Sequence, residues 1–261
     1  MFEGKHVCVA GGTSGINLGI AEGFARAGAR VSVFSRSEDK VAAAVERLSA
    51  LGASAHGGVA DVRRPEQVKA ALADAVAAHG LIDVLVSGAA GNFPAPALGM
   101  SPSAFNAVIG IDLNGTFHVL RYAFEHLRKP GAAVINVSAP QAFLPMTFQS
   151  HVCAAKAGVD MLTKTLAMEW GPAGVRVNSL VPGPIDGTEG MKRLLADPAQ
   201  KDALAKTVPL QRLGAVEDCA DVALFLASDA ARYVSGAILP VDGGWSLGGA
   251  HVAMASVLAR G

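Results

Sequence analysis

A chain of 261 residues, 51% of them hydrophobic, can bury one large core, and an α/β fold of this size commonly forms a single domain. With 22 basic and 22 acidic side chains, its net charge of +0 gives no global field for nucleic acid or an anionic membrane. Three widely spaced cysteines, Cys8, Cys153 and Cys219, read as free thiols in a reducing compartment. No apolar run reaches the roughly 18 residues of a membrane span, and the N-terminus lacks a signal-peptide layout. The expectation is a soluble, cytoplasmic protein with no nucleic-acid or membrane partner.

Short β-rich runs alternate with Ala-rich helical segments from one end to the other. Residues 6–10 predict a strand, followed by a glycine-rich turn and a helix to about Ala27. Residues 30–35 are a second strand and 38–51 a helix; a third strand near 53–58 leads to a helix opened by Pro65. The fourth strand is 82–87, and one long helix runs from Pro102 to about Arg128. Residues 133–137 form the fifth strand, and the helix carrying Lys156 continues to about Trp170. Strands at 175–181 and 237–241 follow, with a helix near 217–227 between them. This alternation implies a parallel sheet with helices on both faces. No repeat or linker interrupts it, so the chain reads as one domain, with a nucleotide-binding half of about residues 1–130 and a catalytic half of about 131–261.

The first turn reads GGTSGINLG from Gly11 to Gly19. Glycines directly after a first strand let backbone N–H groups approach a pyrophosphate, and the following helix adds a favourable dipole. The second strand ends Ser35-Arg36-Ser37, with no acid for a ribose 2′-hydroxyl. An arginine and two hydroxyls suit a 2′-phosphate, which favours NADPH over NADH. Asp61-Val62, at the end of the third strand, are placed where an acid could bond adenine. In many dinucleotide reductases a lysine such as Lys156 has a tyrosine four residues earlier, one helical turn away. Here that position is Val152, so any proton must move without a phenol.

Taken together, Gly11-Gly12-Thr13-Ser14-Gly15, Asp61-Val62, Lys156 and Pro182-Gly183-Pro184-Ile185 with Thr188 resemble the short-chain dehydrogenase/reductase family over essentially the full length. The resemblance implies a Rossmann-type, doubly wound sheet ordered 3-2-1-4-5-6-7 and a homotetramer. A narrower likeness lies in Ala89-Ala90-Gly91-Asn92-Phe93, Asn114-Gly115-Thr116-Phe117 and residues 182–190. These are similar to 2,4-dienoyl-CoA reductases, nearest the peroxisomal type, including a histidine five before the lysine and alanine in place of the usual serine. The resemblance assigns cofactor contacts to Gly11, Thr13, Ser14, Gly15 and Ile16, to Ser35, Arg36, Ser37, Asp61 and Val62, to Ala89 and Lys156, and to Pro182, Gly183, Ile185 and Thr188. Thr188 is where the family bonds the nicotinamide carboxamide.

The family's usual Asn, Ser, Tyr, Lys set maps here onto Asp112, Ala139, Val152 and Lys156. The first three substitutions parallel the peroxisomal dienoyl-CoA reductases. Two others do not: the third glycine of the nucleotide turn is Asn17, and the paired asparagines after the fourth strand are Ser87-Gly88. Carbonyl reduction needs an acid beside an alkoxide. Reducing a conjugated dienoyl thioester instead sends hydride to the far carbon and charge to the thioester oxygen, and the proton can reach carbon through water. Lys156 is therefore expected to orient the nicotinamide ribose, and Asp112, as the resemblance implies, to be the acid, directly or through water. A nearby Lys156 lowers the pKa of Asp112 and burial raises it, so the two effects oppose each other.

The expected substrate is an acyl thioester, with Asn92, Phe93, Asn114, Phe143, Phe148 and His151 as contacts in an apolar pocket that Pro94, Leu144 and Met146 also line. His151 falls roughly 140° around the helix from Lys156, at about 100° per residue. Cys153 reads as a small buried thiol. The seven histidines show no HxxxH spacing and the carboxylates do not cluster, so no metal site is expected. Residues 187–207 read as a helical lid, with Lys192 and Arg193 near CoA phosphates. The segment 234–245 resembles the family's subunit-packing strand, and the closing Leu258-Ala259-Arg260-Gly261 is not a peroxisomal address. Two alternatives to the thioester reductase remain: a carbonyl reductase or alcohol dehydrogenase, and an NADP-binding homologue without catalysis.

Overall fold

The computed structural model describes residues 2–188, 191 and 198–248. Seven parallel strands form one sheet in the order β3-β2-β1-β4-β5-β6-β7. They are β1 (His6–Ala10), β2 (Arg30–Ser35), β3 (Ala55–Val59), β4 (Val84–Ser87), β5 (Ala133–Val137), β6 (Arg176–Pro182) and β7 (Ile238–Val241). The order expected from the resemblance holds, and strand ends move by one to two residues from those read in the sequence. Ile82 lies outside β4 but bridges to Leu127.

Alternation along β1 shows why both faces need helices. Val7 and Val9 enter one apolar cluster, Cys8 and Ala10 the other, and all four are fully buried. The first face is covered by α1 (Gly15–Arg26), α2 (Glu38–Ala50) and, from the far end of the chain, α8 (Val216–Ala227). The second is covered by α3 (Pro65–His79), α5 (Gly115–Ala123) and α6 (Ser150–Trp170). A Cβ added at Gly19 would come within 2.7 Å of the Val216 side chain, and one at Gly23 within 2.9 Å of Ala220. Glycines one turn apart thus let α1 press directly onto α8.

The helix predicted from Pro102 to Arg128 is not a single α-helix. It starts as α4 (Pro102–Val108), widens into a π turn over Ile109–Asn114, resumes as α5 and ends in a 3-10 turn at Phe124–His126. The Thr116 hydroxyl donates to the Asp112 carbonyl at 2.7 Å, the acceptor an ordinary helix would give to the Thr116 N–H. Gly115 lets the same turn close on Val62, whose side chain would lie 2.6 Å from a Cβ there. Such a feature is local and invisible to periodicity. Of the proposed lid, α7 (Pro198–Thr207) is described; Lys192 and Arg193 lie outside the described residues, as do 249–261 of the tail.

Candidate active site

The strand order reverses between β1 and β4, and open α/β sheets bind ligands in the crevice beyond the strand ends at such a switch. A cleft of about 550 Å³ lies there, walled by Gly11, Thr13 and Ser14 on one side and Ala89 on the other. Gly11 has φ +76°, and a Cβ on it would meet the Ala89 backbone at 2.8 Å. Turn and loop therefore meet backbone to backbone, a cradle suited to the pyrophosphate of a dinucleotide. Gly15 and Thr188 face each other across 3.9 Å, measured from a Cβ built on the glycine. Thr188 donates to Ile185 O at 3.1 Å, which holds it at the mouth of the turn. Ile16 is half-buried against the core, Ile185 is buried, and Gly183 N–H donates to Val241 O, so these positions are engaged in the packing and backbone of the fold.

The outer end of the cleft carries Ser35, Arg36, Ser37, Asp61 and Val62. Thr13 donates to the Ser35 hydroxyl at 3.0 Å, and Ser37 caps α2 by accepting from Lys40 N–H at 3.4 Å. Arg36 and Lys40 are both exposed beside that helix start, so two cations and the positive end of the helix dipole lie together at the outer end of the cleft. Sequence reading missed Lys40; its signal is the spacing of three from Ser37, one helical turn. Asp61 accepts from Arg63 through Nε and the backbone N–H, and these bonds hold its carboxyl below the ordinary range.

Asp112 and Lys156 are brought together from the π turn and from α6. The carboxylate and ammonium lie 3.6 Å apart, at 1% and 5% exposure. Asp112 also accepts from Gly91 N–H at 2.7 Å, and Lys156 donates to Val137 O at 3.1 Å. Burial wins the contest that the sequence leaves open. It pushes the Asp112 carboxyl above the ordinary carboxylate range, against the opposing pull of Lys156 and the Gly91 N–H. Val152 at the tyrosine position is buried in a small apolar cluster with Val108 and Ala155 and offers no proton.

His151 is fully buried on the first turn of α6, with its ring 4.6 Å from that of Phe93 and both ring nitrogens unpartnered. Phe143 and Phe148 are exposed at 47% and 57%, and Phe148 holds φ +64° in the loop before α6. Asn92 is exposed; Asn114 is exposed too, so it does not share the buried face of Asp112 in the same turn. Cys153 is half-buried, which corrects the expectation of a buried thiol, because position 153 turns away from the core side of α6. Burial pushes the Cys8 and Cys219 thiols up to about 12. A second carboxylate, Asp160, lies buried one turn beyond Lys156 with its carboxyl raised by burial. Its i,i+4 spacing from the lysine is the signal that would have found it.

A family model described as Enoyl-(Acyl carrier protein) reductase matches residues 10–246, a span that includes the glycine-rich turn from Gly11, Asp112 and Lys156. The chain belongs to the short-chain dehydrogenase/reductase family. Among its relatives in that family, the peroxisomal 2,4-dienoyl-CoA reductase of Saccharomyces cerevisiae is 40% identical, over 95% of this chain and 86% of that protein. The protein of the same description from Rattus norvegicus is 42% identical, over 94% and 84%. A solved structure, a gluconate 5-dehydrogenase from Burkholderia cenocepacia in complex with NADP and tartrate, superposes with a TM-score of 0.86 at 33% identity, covering 94% of this chain and 96% of its own. Among the described residues no helix is long and apolar enough to cross a membrane.

Proposed function

We propose that this protein reduces the conjugated double bonds of a 2,4-dienoyl thioester with NADPH. The observation that carries the reading is the buried Asp112–Lys156 pair, standing where Ala139 and Val152 remove both hydroxyl donors of carbonyl reduction. Relatives named as (3E)-enoyl-CoA-producing 2,4-dienoyl-CoA reductases support the substrate class. Arg36 and Lys40 at the outer end of the cleft support NADPH.

A dinucleotide held by the Gly11–Gly15 turn, Ala89 and Thr188 would supply the hydride that the diene needs at its far carbon. The residues of the chain do the rest. An ammonium has three donors; Lys156 gives one to Val137 O and faces Asp112 as an ion pair at 3.6 Å, which leaves a donor for a ribose hydroxyl. The negative charge that spreads to the thioester oxygen needs donors in a dry site, and His151, with unpartnered ring nitrogens, is the nearby side chain able to give one. Asp112, its carboxyl raised by burial, returns the proton to carbon directly or through water. The active form is a homotetramer of single-domain subunits in the cytoplasm, a compartment supported by three free thiols.

Loss of nicotinamide absorbance with a 2,4-dienoyl-CoA, a simple ketone and no substrate tests the reading. Turnover confined to the dienoyl thioester is expected. Turnover on the ketone alone would replace it with carbonyl reduction, and NADPH binding without turnover on either would leave a non-catalytic homologue.

A further inference from the structure

Of the two departures unmatched in the dienoyl-CoA reductase likeness, Asn17 and the Ser87-Gly88 pair, Asn17 and Gly88 touch each other. Asn17 sits in the first turn of α1, and Gly88 is the first residue past β4. The Asn17 Nδ2 donates to Gly88 O at 2.7 Å and to Gly11 O at 3.4 Å. A Cβ on Gly88 would lie 2.2 Å from Asn17 Oδ1 and 2.5 Å from both Cγ and Nδ2. The carboxamide therefore lies flat over the Gly88 Cα, in the volume a side chain at 88 would fill. Two carbonyls facing one amide fix its orientation, with the NH₂ toward them and Oδ1 left as an unpartnered acceptor in the cleft wall.

We propose that Asn17 and Gly88 form one coupled unit, a strut between the glycine-rich turn and the β4 loop, and that Asn17 is a positioning residue for the dinucleotide. The strut ties together the two carbonyls that flank the Gly11–Ala89 contact, so it sets the width of the cradle. Loss of glycine at 17 and loss of a side chain at 88 are thus one exchange: the polar side chain that spans the gap comes from the helix in place of the loop. The inference rests on the dinucleotide reading of the cleft.

The test is a cycle of Asn17→Gly, Gly88→Ala and the double variant, each measured for NADPH Kd by nucleotide fluorescence, for kcat and KM, and for melting temperature. Each single variant is expected to weaken NADPH about tenfold through KM with kcat at saturation held within about threefold, and the double variant to return within about threefold of the parent. Additive losses in the double variant, or an unchanged Kd for Asn17→Gly, would overturn the strut. Should Gly88→Ala fail to fold, Asn17→Ser, too short to reach both carbonyls, gives the same reading against Asn17→Gly. A parent protein that binds no NADPH would instead refute the dinucleotide reading, which separates the two failures.

Discussion

The carboxylate of Asp112 and the ammonium of Lys156 meet at 3.6 Å across two elements separated by more than forty residues, and both are buried. Removing one partner of a buried pair leaves the other charge uncompensated, at a cost of about 3–5 kcal/mol. Asp112→Asn keeps the shape and an oxygen facing Lys156 while removing both the negative charge and the titrating proton. It is expected to lower kcat on a dienoyl thioester by about 10²–10⁴-fold with NADPH binding retained. An acid must be protonated to donate, and burial raises the Asp112 carboxyl. The parent rate should therefore fall as pH rises through that raised pKa, a limb absent from the residual activity of Asp112→Asn. A kcat–pH profile of both proteins checks this.

Arg36 and Lys40 are exposed, so their contribution to binding an anion is screened by salt. Arg36→Ala should raise the NADPH KM by about tenfold, a loss of roughly 1.4 kcal/mol, and leave the NADH KM nearly unchanged. Lys40→Ala should do the same more weakly. Titrations with both nucleotides at low and high ionic strength would show the preference shrinking as salt rises.

A chain of neutral histidines ties the opposite end of the sheet. His6 Nδ1 donates to Gly80 O at 2.8 Å, which leaves Nε2 to accept from Ser32; Ser32 accepts from His79 Nδ1, and His79 Nε2 accepts from Ser54. Burial lowers His79 from 6.5 to about 4 and lowers His6 as well. The unfolded chain binds these protons first, so stability is full above about pH 6.5 and declines as pH falls toward 4. Melting temperature measured across that window should drop for the parent. In His79→Asn the drop should be shallower, from a lower starting value at neutral pH.

At the α1–α8 contact, Gly19→Ala would place a methyl 2.7 Å from Val216. Overpacking of this kind destabilises by about 1–3 kcal/mol, and Val216→Ala in the same chain should recover part of it. Thermal melts of the single and double variants decide; equal melting temperatures for Gly19→Ala and the parent would show that the helices separate without strain.

The fold was legible because its signals are local and repeated. Buried strands such as residues 6–10 read as continuous apolar runs, and the Ala-rich helices between them open on local signals such as Ser37 before α2 and Pro65 in α3. Asp112 and Lys156 were legible through spacing against a known pattern, but which effect governs the Asp112 proton was not, since burial is a property of the assembled neighbours. The π turn escaped because residues 109–114 have ordinary helical composition and nothing in their spacing marks the wider turn. Lys40 and Asp160 escaped because each gains meaning only from what faces it. Asn17 and Gly88 looked like two separate losses, and only proximity makes them one contact.

The six-residue wide turn at Ile109–Asn114 has an evolutionary corollary. Each helical residue advances the azimuth by about 100°. Deleting a single codon within that span would restore a regular ladder yet swing the acid away from its ammonium partner. The bearing of Asp112 is thus encoded in the length of a helix as much as in the identity of a side chain, so a length change there is expected to part it from Lys156 where point changes in the surrounding loops leave the two together.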